Sequence, residues 1–390
     1  MSLLHRAWRL LPRDARRAAL FGGTALLAPR PERPMPDGGG SVTVAGFLGA
    51  PTGLGAAARR LARALREAGY DPHEADLTAA LKQGAPRDPA RPRPVVPPGP
   101  GTLLVHVNGP MMGWAMLALG RAAVAGKRVI GVWNWELPVL PADWRPGFRF
   151  AHEVWVSSRF TASAVREMAG GVPVHVVPCP VPAPDPSALG RADFGLPDDA
   201  FVSLCLFDAS SSIARKNPLA AIRAHALAFG DRPDRLLLLK THGTGFAGAP
   251  WAEVAAAAAA RPNVRVLDAA LDRRDLWALM AASDAVVSLH RAEGFGFAVA
   301  EAMRLGRPVV ATGWSGNTDF MRGPGAHAVP YRLVPAEDPQ DTYAIPGARW
   351  AEADVPAAAA ILARIAEDPA LRRPPPVDFP AFDYAPLLGR

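Results

Sequence analysis

Short apolar runs alternate with helix-like segments along most of the chain. In the first half, the runs that predict strands are 41–47, 102–107, 127–133, 153–157 and 174–177. In the second half they are 201–207, 236–240, 264–267, 285–289 and 308–312. These runs are nearly continuous in apolar residues, as parallel strands are when helices cover both faces of their sheet. The pattern therefore predicts an α/β protein with parallel sheets.

Helical segments with start signals separate these runs. Ser158 is placed to cap a helix over 159–168, and Asn217 to cap a helix that starts at Pro218 and ends near residue 229. Other helices are predicted at 56–68, 251–260, 272–282 and 297–305, followed by a closing strand over 329–334 and a closing helix over 350–365. Strands and helices in this order form right-handed crossover units, whose ligands lie beyond the carboxyl ends of the strands.

Length and composition set the domain count. The 390 residues exceed one ordinary core, and 49% hydrophobic with 20% charged residues is typical of globular proteins. We therefore expect an arm and linker at 1–40, a first Rossmann-like domain at 41–185, a second at 186–355 and C-terminal helices at 356–390.

Charge and cysteine content exclude several classes of protein. The net charge of +7 suits an anionic substrate or an acidic membrane, whereas no nucleic-acid-binding motif accompanies it, so we expect no nucleic acid partner. Cys179 and Cys205 give no disulfide framework and indicate a reducing compartment. The nine histidines show no metal-ligand spacing, so we expect no metal site.

Residues 1–28 form an arm that is both basic and apolar. Its first part mixes Leu and Trp with five arginines, at Arg6, Arg9, Arg13, Arg16 and Arg17. Residues 18–28 are apolar but fall short of the roughly 20 residues that span a bilayer. The arm fits a helix lying on an anionic membrane surface and a solvated basic segment equally well. We therefore expect a cytoplasmic protein, with peripheral contact to the inner face of the cell membrane as one possibility.

One loop in the second half of the chain is suited to an anion. Gly294 and Gly296 let the backbone approach a ligand closely, and a helix starting near Phe297 adds the positive end of its dipole. Glu293 lies in the loop, and Glu301 leans back from inside the helix towards the same end. Carboxylates beside a row of amides suit a nucleotide-sugar. The alternative is a plain turn followed by a solvated Glu301.

Two basic residues stand between a predicted strand and a predicted helix. Arg215 and Lys216 follow the strand 201–207 and precede the helix that begins at Pro218. A departing diphosphate would be neutralised at such a helix N-terminus. The alternative is a solvated pair of surface charges.

The first half of the chain has a glycine-containing loop of its own. Gly53 and Gly55 follow the strand 41–47 and lead into the helix 56–68, an arrangement that forms a cradle for a phosphate or another ligand. A dinucleotide fingerprint is the alternative, but its G-x-G-x-x-G spacing is absent and no acidic residue is clearly placed after it.

Aromatic and polar residues follow the next strands of the first half. Trp133, Trp135 and Trp144 could stack on sugar rings, although tryptophans near strand ends more often belong to the core. Glu136 lies in the same loop, and Asn108 follows the neighbouring strand. We predict that Asn108, Trp135 and Glu136 face an acceptor or the sugar.

The order of these features resembles that of one enzyme family. Glu293 and Glu301 match the two glutamates of the E-x7-E signature of retaining GT-B glycosyltransferases, family 4 of the nucleotide-sugar transferases, also called group 1. GRPVVAT is similar to the strand that follows in that family, and residues 315–319 (SGNTD) resemble its G-G-x-x-E loop with Ser and Asp substituted. WNWELPxxPxxW resembles a bacterial subgroup that acts in surface-polysaccharide assembly. The resemblance covers about residues 41–355.

The resemblance implies a GT-B fold, in which two Rossmann-like domains face each other across a cleft and residues 379–388 cross back to the first domain. It implies transfer of a hexose from a nucleotide-sugar to a hydroxyl of a glycan or lipid-linked acceptor, with retention of configuration. No Asp-x-Asp motif is convincing, so the reaction is expected to need no metal and no resident cofactor, the nucleotide-sugar being a co-substrate. A GT-B epimerase, a non-catalytic glycan-binding homologue and, more distantly, a dinucleotide reductase remain as alternatives.

The resemblance also assigns roles to residues. Lys216 matches the family's phosphate lysine, and Arg215 stands in for an arginine that the family places earlier, where this chain has Asp208. The family's donor-facing histidine has no clear counterpart, because His106 lies inside a strand and Asn108 follows it. The expected donor-binding residues are Glu293, Gly294, Phe295, Gly296 and Phe297 at the sugar, Glu301 at the ribose, and Gly53, Gly55, Ser315, Gly316 and Asn317. The base, the sugar, the acceptor and the oligomeric state stay open.

Overall fold

A computed structural model describes residues 21–81 and 94–389 of the chain. Most of the predicted basic arm lies outside these residues. The chain divides into two compact units. The first comprises the described residues up to Trp135, then Val139–Pro180 and the described residues from Pro380 onwards, and the second comprises Glu136–Pro138 and Val181–Phe379.

The first unit is built on a parallel sheet of six strands in the order β2-β1-β3-β4-β5-β6. Its strands are β1 (Ser41–Gly46), β2 (His73–Asp76), β3 (Gly101–His106), β4 (Lys127–Trp133), β5 (Glu153–Val156) and β6 (Val174–Val176). Its helices are α1 (Gly53–Glu67), α2 (Met112–Leu119), α3 (Arg121–Val124) and α4 (Arg159–Met168), and residues 21–27 are also helical. One face of the sheet packs against α1, whose Leu61 and Leu65 are buried.

The second unit has a second parallel sheet of six strands, in the order β12-β11-β10-β7-β8-β9. Its strands are β7 (Phe201–Leu206), β8 (Arg235–Thr241), β9 (Val264–Asp268), β10 (Ala285–Ser288), β11 (Val309–Thr312) and β12 (Ala326–Val329), and an antiparallel hairpin of β13 (Tyr331–Pro335) and β14 (Arg349–Ala353) follows. Its helices are α5 (Ile213–Lys216), α6 (Pro218–Phe229), α7 (Gly248–Ala259), α8 (Arg273–Ala282), α9 (Phe297–Arg304) and α10 (Val355–Glu367). The predicted α/β protein with two parallel sheets is confirmed.

Ser158 caps α4 as predicted, because its hydroxyl accepts from the Thr161 N–H. The predicted cap at Asn217 is wrong. Asn217 has φ 52° and ψ 49°, and its side chain makes no capping bond, because it is the left-handed joint between α5 and α6. Arg215 and Lys216 therefore lie in the last turn of α5, and Pro218 occupies the first turn of α6.

The chain after β11 also differs from the prediction. The single strand predicted at 329–334 is wrong, since β12 ends at Val329 and β13 runs in an antiparallel pair with β14. The predicted helix start at Trp350 is wrong for the same reason, because this residue pairs with Val334 in the hairpin. The helix α10 starts only after Asp354, whose side chain caps it.

The C-terminal residues 380–389 belong to the first unit. Only α11 (Ala385–Leu388) is helical there, so the helix expected at 379–388 is wrong in its length. Burial of two side chains holds this segment: Tyr384 stacks on Trp155 with ring centroids 6.2 Å apart, and Leu388 joins the same core. Strand β2 was missed from the sequence because HEAD carries no apolar run.

Candidate active site

Two cations meet a single carboxylate where β7 and β10 end. These strands are neighbours in the sheet, so the turn α5 that follows β7 lies beside the loop that follows β10. Lys216 Nζ forms an ion pair with Glu293 Oε1, and Arg215 Nη1 lies 3.3 Å from the same oxygen. The backbone joins the two segments as well, because the Arg291 N–H donates to the Arg215 carbonyl at 2.7 Å. The alternative of a solvated surface pair is thereby excluded.

The charge state of Glu293 follows from these neighbours. Burial alone would raise the pKa of its carboxyl, but Lys216, Arg215 and His290 outweigh burial and hold the pKa at about 2. The carboxylate is therefore ionised at neutral pH. Together with the two cations it leaves one net positive charge at the strand ends, which is suited to an anion.

Arg215 is enclosed by the rest of the second unit. Its guanidinium donates to the Ala292 carbonyl at 2.8 Å and to Ser211 Oγ at 3.0 Å. The Tyr343 ring lies over it, 5.3 Å from its central carbon to the ring centroid. The Tyr343 hydroxyl in turn donates to Glu136 Oε2 at 3.0 Å. The structure thus brings Glu136, predicted to face an acceptor or the sugar, to the tyrosine that covers Arg215.

Tyr343 is held by an acidic residue that the sequence analysis missed. The connection between β13 and β14 folds around Asp338, whose carboxylate accepts from the Thr342 N–H at 2.9 Å and the Tyr343 N–H at 3.1 Å. Asp338 also accepts from Ser212 Oγ at 2.9 Å, which ties the loop to α5. Burial raises the pKa of Tyr343 well above its usual value, so its phenol stays protonated and donates.

The loop after β10 packs directly on the loop after β11. The Glu293 N–H donates to Ser315 Oγ at 2.9 Å, and the Gly316 N–H donates to the Glu293 carbonyl at 2.9 Å. A Cβ at Gly316 would lie 2.0 Å from the Gly294 carbonyl oxygen, so only glycine fits there. Ser315 has φ 77°, a conformation that glycine adopts more easily. The predicted residues Ser315 and Gly316 therefore fix the position of Glu293.

A buried histidine completes this packing and was missed from the sequence. His290 Nε2 lies 3.0 Å from Asn317 Oδ1, and His290 Nδ1 lies 3.0 Å from Ser288 Oγ. Burial lowers the pKa of His290, although Glu293 opposes this effect. Asn317 Nδ2 also donates to the Thr312 carbonyl at 2.9 Å. The side chain of Asn317, which was predicted to bind the nucleotide-sugar, therefore forms its hydrogen bonds inside the protein. The available signal was a histidine directly after a predicted strand.

Glu301 is buried and forms an ion pair. It lies on α9 with 3% of its surface exposed, and its Oε1 is 2.6 Å from Arg273 Nη1 at the start of α8. The alternative of a solvated Glu301 is therefore wrong. Gly296, with φ 96°, turns the chain into α9, and the rings of Phe295 and Phe297 pack 5.2 Å apart.

Gly53 and Gly55 begin the helix α1 instead of preceding it. Thr52 caps α1 by accepting from the Gly55 N–H at 3.2 Å, so the N–H of this predicted donor-binding residue is used inside the helix cap. A Cβ at Gly55 would lie 2.3 Å from the Ala50 carbonyl oxygen and 2.6 Å from that of Phe47. Gly53 has open space around it. Close packing therefore explains the glycine at 55 and not the glycine at 53.

The predicted sugar-stacking role of Trp135 is wrong for this structure. Trp135 is buried, its Nε1 donates to the Val139 carbonyl at 2.8 Å, and its ring meets Trp144 edge-on at 5.1 Å. Trp133 and Trp144 are buried in the same cluster, with ring centroids 5.6 Å apart. These three residues form core, which was the favoured alternative. Glu136 follows Trp135 directly in the sequence, in the loop after β4.

Asn108 and His106 stand at the end of β3 in the first unit. Asn108 Oδ1 accepts from the Asn134 N–H at 2.9 Å, so this side chain braces the loop after β4. His106 is buried, and burial lowers its pKa to about 4, which leaves the imidazole neutral at pH 7.

Two absences concern only the residues that the structure describes. Across 21–81 and 94–389, no three His, Cys, Asp or Glu side chains gather in a group able to hold a metal ion. Within the same ranges, no helix combines the length and the apolar character needed to span a bilayer.

Comparison with known proteins gives matches in part of the sequence and in the fold. Residues 220–345 match the model of a family described as glycosyl transferases group 1. A comparison with curated proteins found no match. Sucrose-phosphate synthase from Thermosynechococcus elongatus is similar in structure, with TM-score 0.61 and 17% identity over 86% of this chain and 91% of that one. HepE from Anabaena, solved with UDP and glucose, has TM-score 0.57 and 16% identity over 85% of this chain and 91% of that one.

A TarM variant from S. aureus, in complex with fondaparinux, α-GlcNAc-glycerol and UDP, is a more partial relative. It has TM-score 0.50 and 13% identity over 70% of this chain, which spans about half of the TarM chain, 49%. At these identities the likeness concerns the fold. The two parallel sheets with their helices have the GT-B fold of these neighbours, and residues 220–345 are similar in sequence to group 1 glycosyl transferases.

Proposed function

We propose that the protein transfers a hexose from a nucleotide-sugar to a hydroxyl of a glycan or lipid-linked acceptor, with retention of configuration. The observation that carries this proposal is the convergence of Lys216 and Arg215 on the ionised Glu293 where β7 and β10 end. One net positive charge beside the N-terminus of α9 is suited to the diphosphate of such a donor. The family match over residues 220–345 covers Glu293 and the loop after it, though not the two cations.

The proposal assigns Lys216 to the departing diphosphate, and Glu293 and the amides of the following loop to the donor sugar. The assignment of Glu301 to the ribose rests on the sequence resemblance alone, since only 3% of its surface is exposed. The protein would need no resident cofactor and no metal, because the two cations supply the positive charge that a metal ion would otherwise provide. UDP is the first nucleotide to test, since HepE and the TarM variant were solved with it. Retention and a role in polysaccharide assembly rest on the sequence resemblance.

The first experiment is a thermal-shift screen of the purified protein against UDP-, GDP-, ADP- and dTDP-sugars with EDTA present. One nucleotide should stabilise the protein selectively, by about 2.7 kcal/mol when its concentration is a hundred times Kd. Stabilisation that appears only when a metal is added would contradict metal independence. A well-folded protein that responds to no nucleotide would overturn the proposal in favour of a non-catalytic homologue.

The second experiment measures turnover with the donor so identified. Lys216→Met should lower kcat by roughly 10²–10³, because it removes a preorganised charge from the leaving group. Arg232→Met is the matched control, since Arg232 is exposed and pairs with Asp234 two positions along the chain. Wild-type turnover in Lys216→Met would refute the assignment. A changed sugar released without any acceptor would identify an epimerase instead.

A further inference from the structure

Two uncharged helical segments of the first unit expose large apolar side chains. Residues 21–27 (FGGTALL) expose Leu26 to 73% and Leu27 to 79%. Helix α2 (MGWAMLAL) exposes Trp114 to 37% and Leu117 to 43%, one turn apart on the same face. Exposed apolar side chains that lie together mark an interaction surface, whereas single ones do not.

The two segments touch each other, so their exposed residues lie on neighbouring elements. A Cβ at Gly113 would lie 3.5 Å from Thr24 Cγ2 and 3.6 Å from the Ala25 backbone nitrogen. Gly113, Thr24 and Ala25 are buried at this crossing. We call the exposed set Leu26, Leu27, Trp114 and Leu117 the apolar patch.

Arginines border the apolar patch in sequence on both helices. Residues 1–20, which lead directly into the segment 21–27, carry five arginines and one acidic residue. Arg30 follows that segment, and Arg121 follows α2, and both are exposed. Leu and Trp side chains next to arginines are the composition of surfaces that lie in the headgroup region of an anionic bilayer, the apolar groups entering the acyl boundary and the cations meeting lipid phosphates.

We propose that the apolar patch docks the protein on an anionic lipid bilayer. The proposed surface consists of described residues on two segments that lie about 90 positions apart in the sequence. It is independent of the proposed glycosyl transfer. The competing occupant of the patch is a second copy of the chain or another protein. Binding to a bilayer depends on the arginines and on the negative charge of the lipids, whereas an apolar contact with a protein depends on neither.

The test is co-sedimentation of the full chain with vesicles of phosphatidylcholine alone or mixed with phosphatidylglycerol. The wild type should bind the mixed vesicles, bind those of phosphatidylcholine at least tenfold less, and lose binding as salt rises. Two double variants, Leu26→Ser with Leu27→Ser and Trp114→Ser with Leu117→Ser, should each weaken binding at least tenfold. Leu227→Ser is the matched control, because Leu227 is a leucine of the second unit exposed to 61%.

Each other outcome overturns the proposal. Absence of wild-type binding to mixed vesicles refutes it directly. Wild-type binding by both double variants would assign any membrane contact to other residues, such as the arginines of residues 1–20. Equal weakening by Leu227→Ser would show a general loss of solubility. A change in oligomeric state of the double variants in sedimentation velocity, with vesicle binding unchanged, would assign the patch to self-association. Circular dichroism and Tm of each variant verify that it is folded.

Discussion

Replacing Glu293 with Gln removes the carboxylate that Lys216 and Arg215 share. In the folded protein the pKa of Glu293 is about 2, below the usual value of 4.5. This difference corresponds to about 3 kcal/mol of stability at neutral pH, because each pKa unit is worth about 1.4 kcal/mol. The variant keeps the shape of the side chain and leaves two cations without their anion, so we expect it to lose about that amount.

The same ion pair predicts how stability depends on pH. Since the folded state holds the pKa below its unfolded value, the stabilisation is complete above about pH 5 and declines as the pH falls from about 4.5 towards 2. By that relation the wild type has lost about 1 kcal/mol of this contribution at pH 3.5. Glu293→Gln cannot lose it, so the two proteins should become more alike in acid.

Urea unfolding followed by tryptophan fluorescence at pH 7, 4.5 and 3.5 measures both effects. The expected difference in unfolding free energy between wild type and Glu293→Gln is about 3 kcal/mol at pH 7 and about 2 kcal/mol at pH 3.5. Glu253→Gln, which changes an exposed carboxylate on α7, is the control and should leave both values near those of the wild type. A difference that does not narrow between pH 7 and 3.5 would refute the electrostatic reasoning.

Two further predictions concern packing, and both are read from urea or thermal unfolding. Gly55→Ala should destabilise the protein by about 2 kcal/mol or more, because its Cβ would meet two carbonyl oxygens. Gly53→Ala lies in open space and should stabilise the protein by about 0.5 kcal/mol. Equal effects of the two variants on the unfolding free energy would contradict the account of α1. Tyr343→Phe should lower the free energy of unfolding by about 1–2 kcal/mol, because it removes the hydrogen bond to Glu136. Tyr343→Ala should lower it further, because it also uncovers Arg215. A Tyr343→Phe protein as stable as the wild type would refute the contribution of this hydrogen bond.

The sequence was informative wherever burial alone dictates the pattern. Strand β4 was predicted at its observed bounds, 127–133, because a strand covered on both faces leaves an almost uninterrupted apolar run. Strand β2 has polar residues and pairs only through β1, so its pattern carried no such signal. The hairpin of β13 and β14 was missed because its existence depends on pairing between segments, which periodicity does not encode.

Some residues of the candidate site could likewise be predicted from the sequence, and others could not. Lys216 and Glu293 were each predicted to lie at a ligand site, because each follows a predicted strand and ligands lie beyond the carboxyl ends of parallel strands; their ion pair is what the structure adds. Asp338, His290 and Arg273 were missed because their roles depend on how loops close on each other. Asp338, for example, reaches α5 across 126 positions of the sequence. No local pattern predicts a contact of that kind.

Arg215 and Lys216 are adjacent in the sequence, yet the structure gives them different tasks. The side chain of Arg215 is 5% exposed, it donates to Ala292 and Ser211, and the ring of Tyr343 covers it. The side chain of Lys216 is 22% exposed. A diphosphate can meet only a cation that it can reach, so under the proposed function Lys216 would contact the donor. Arg215 instead holds Glu293 and its loop in place, and we infer that it acts on the reaction through them.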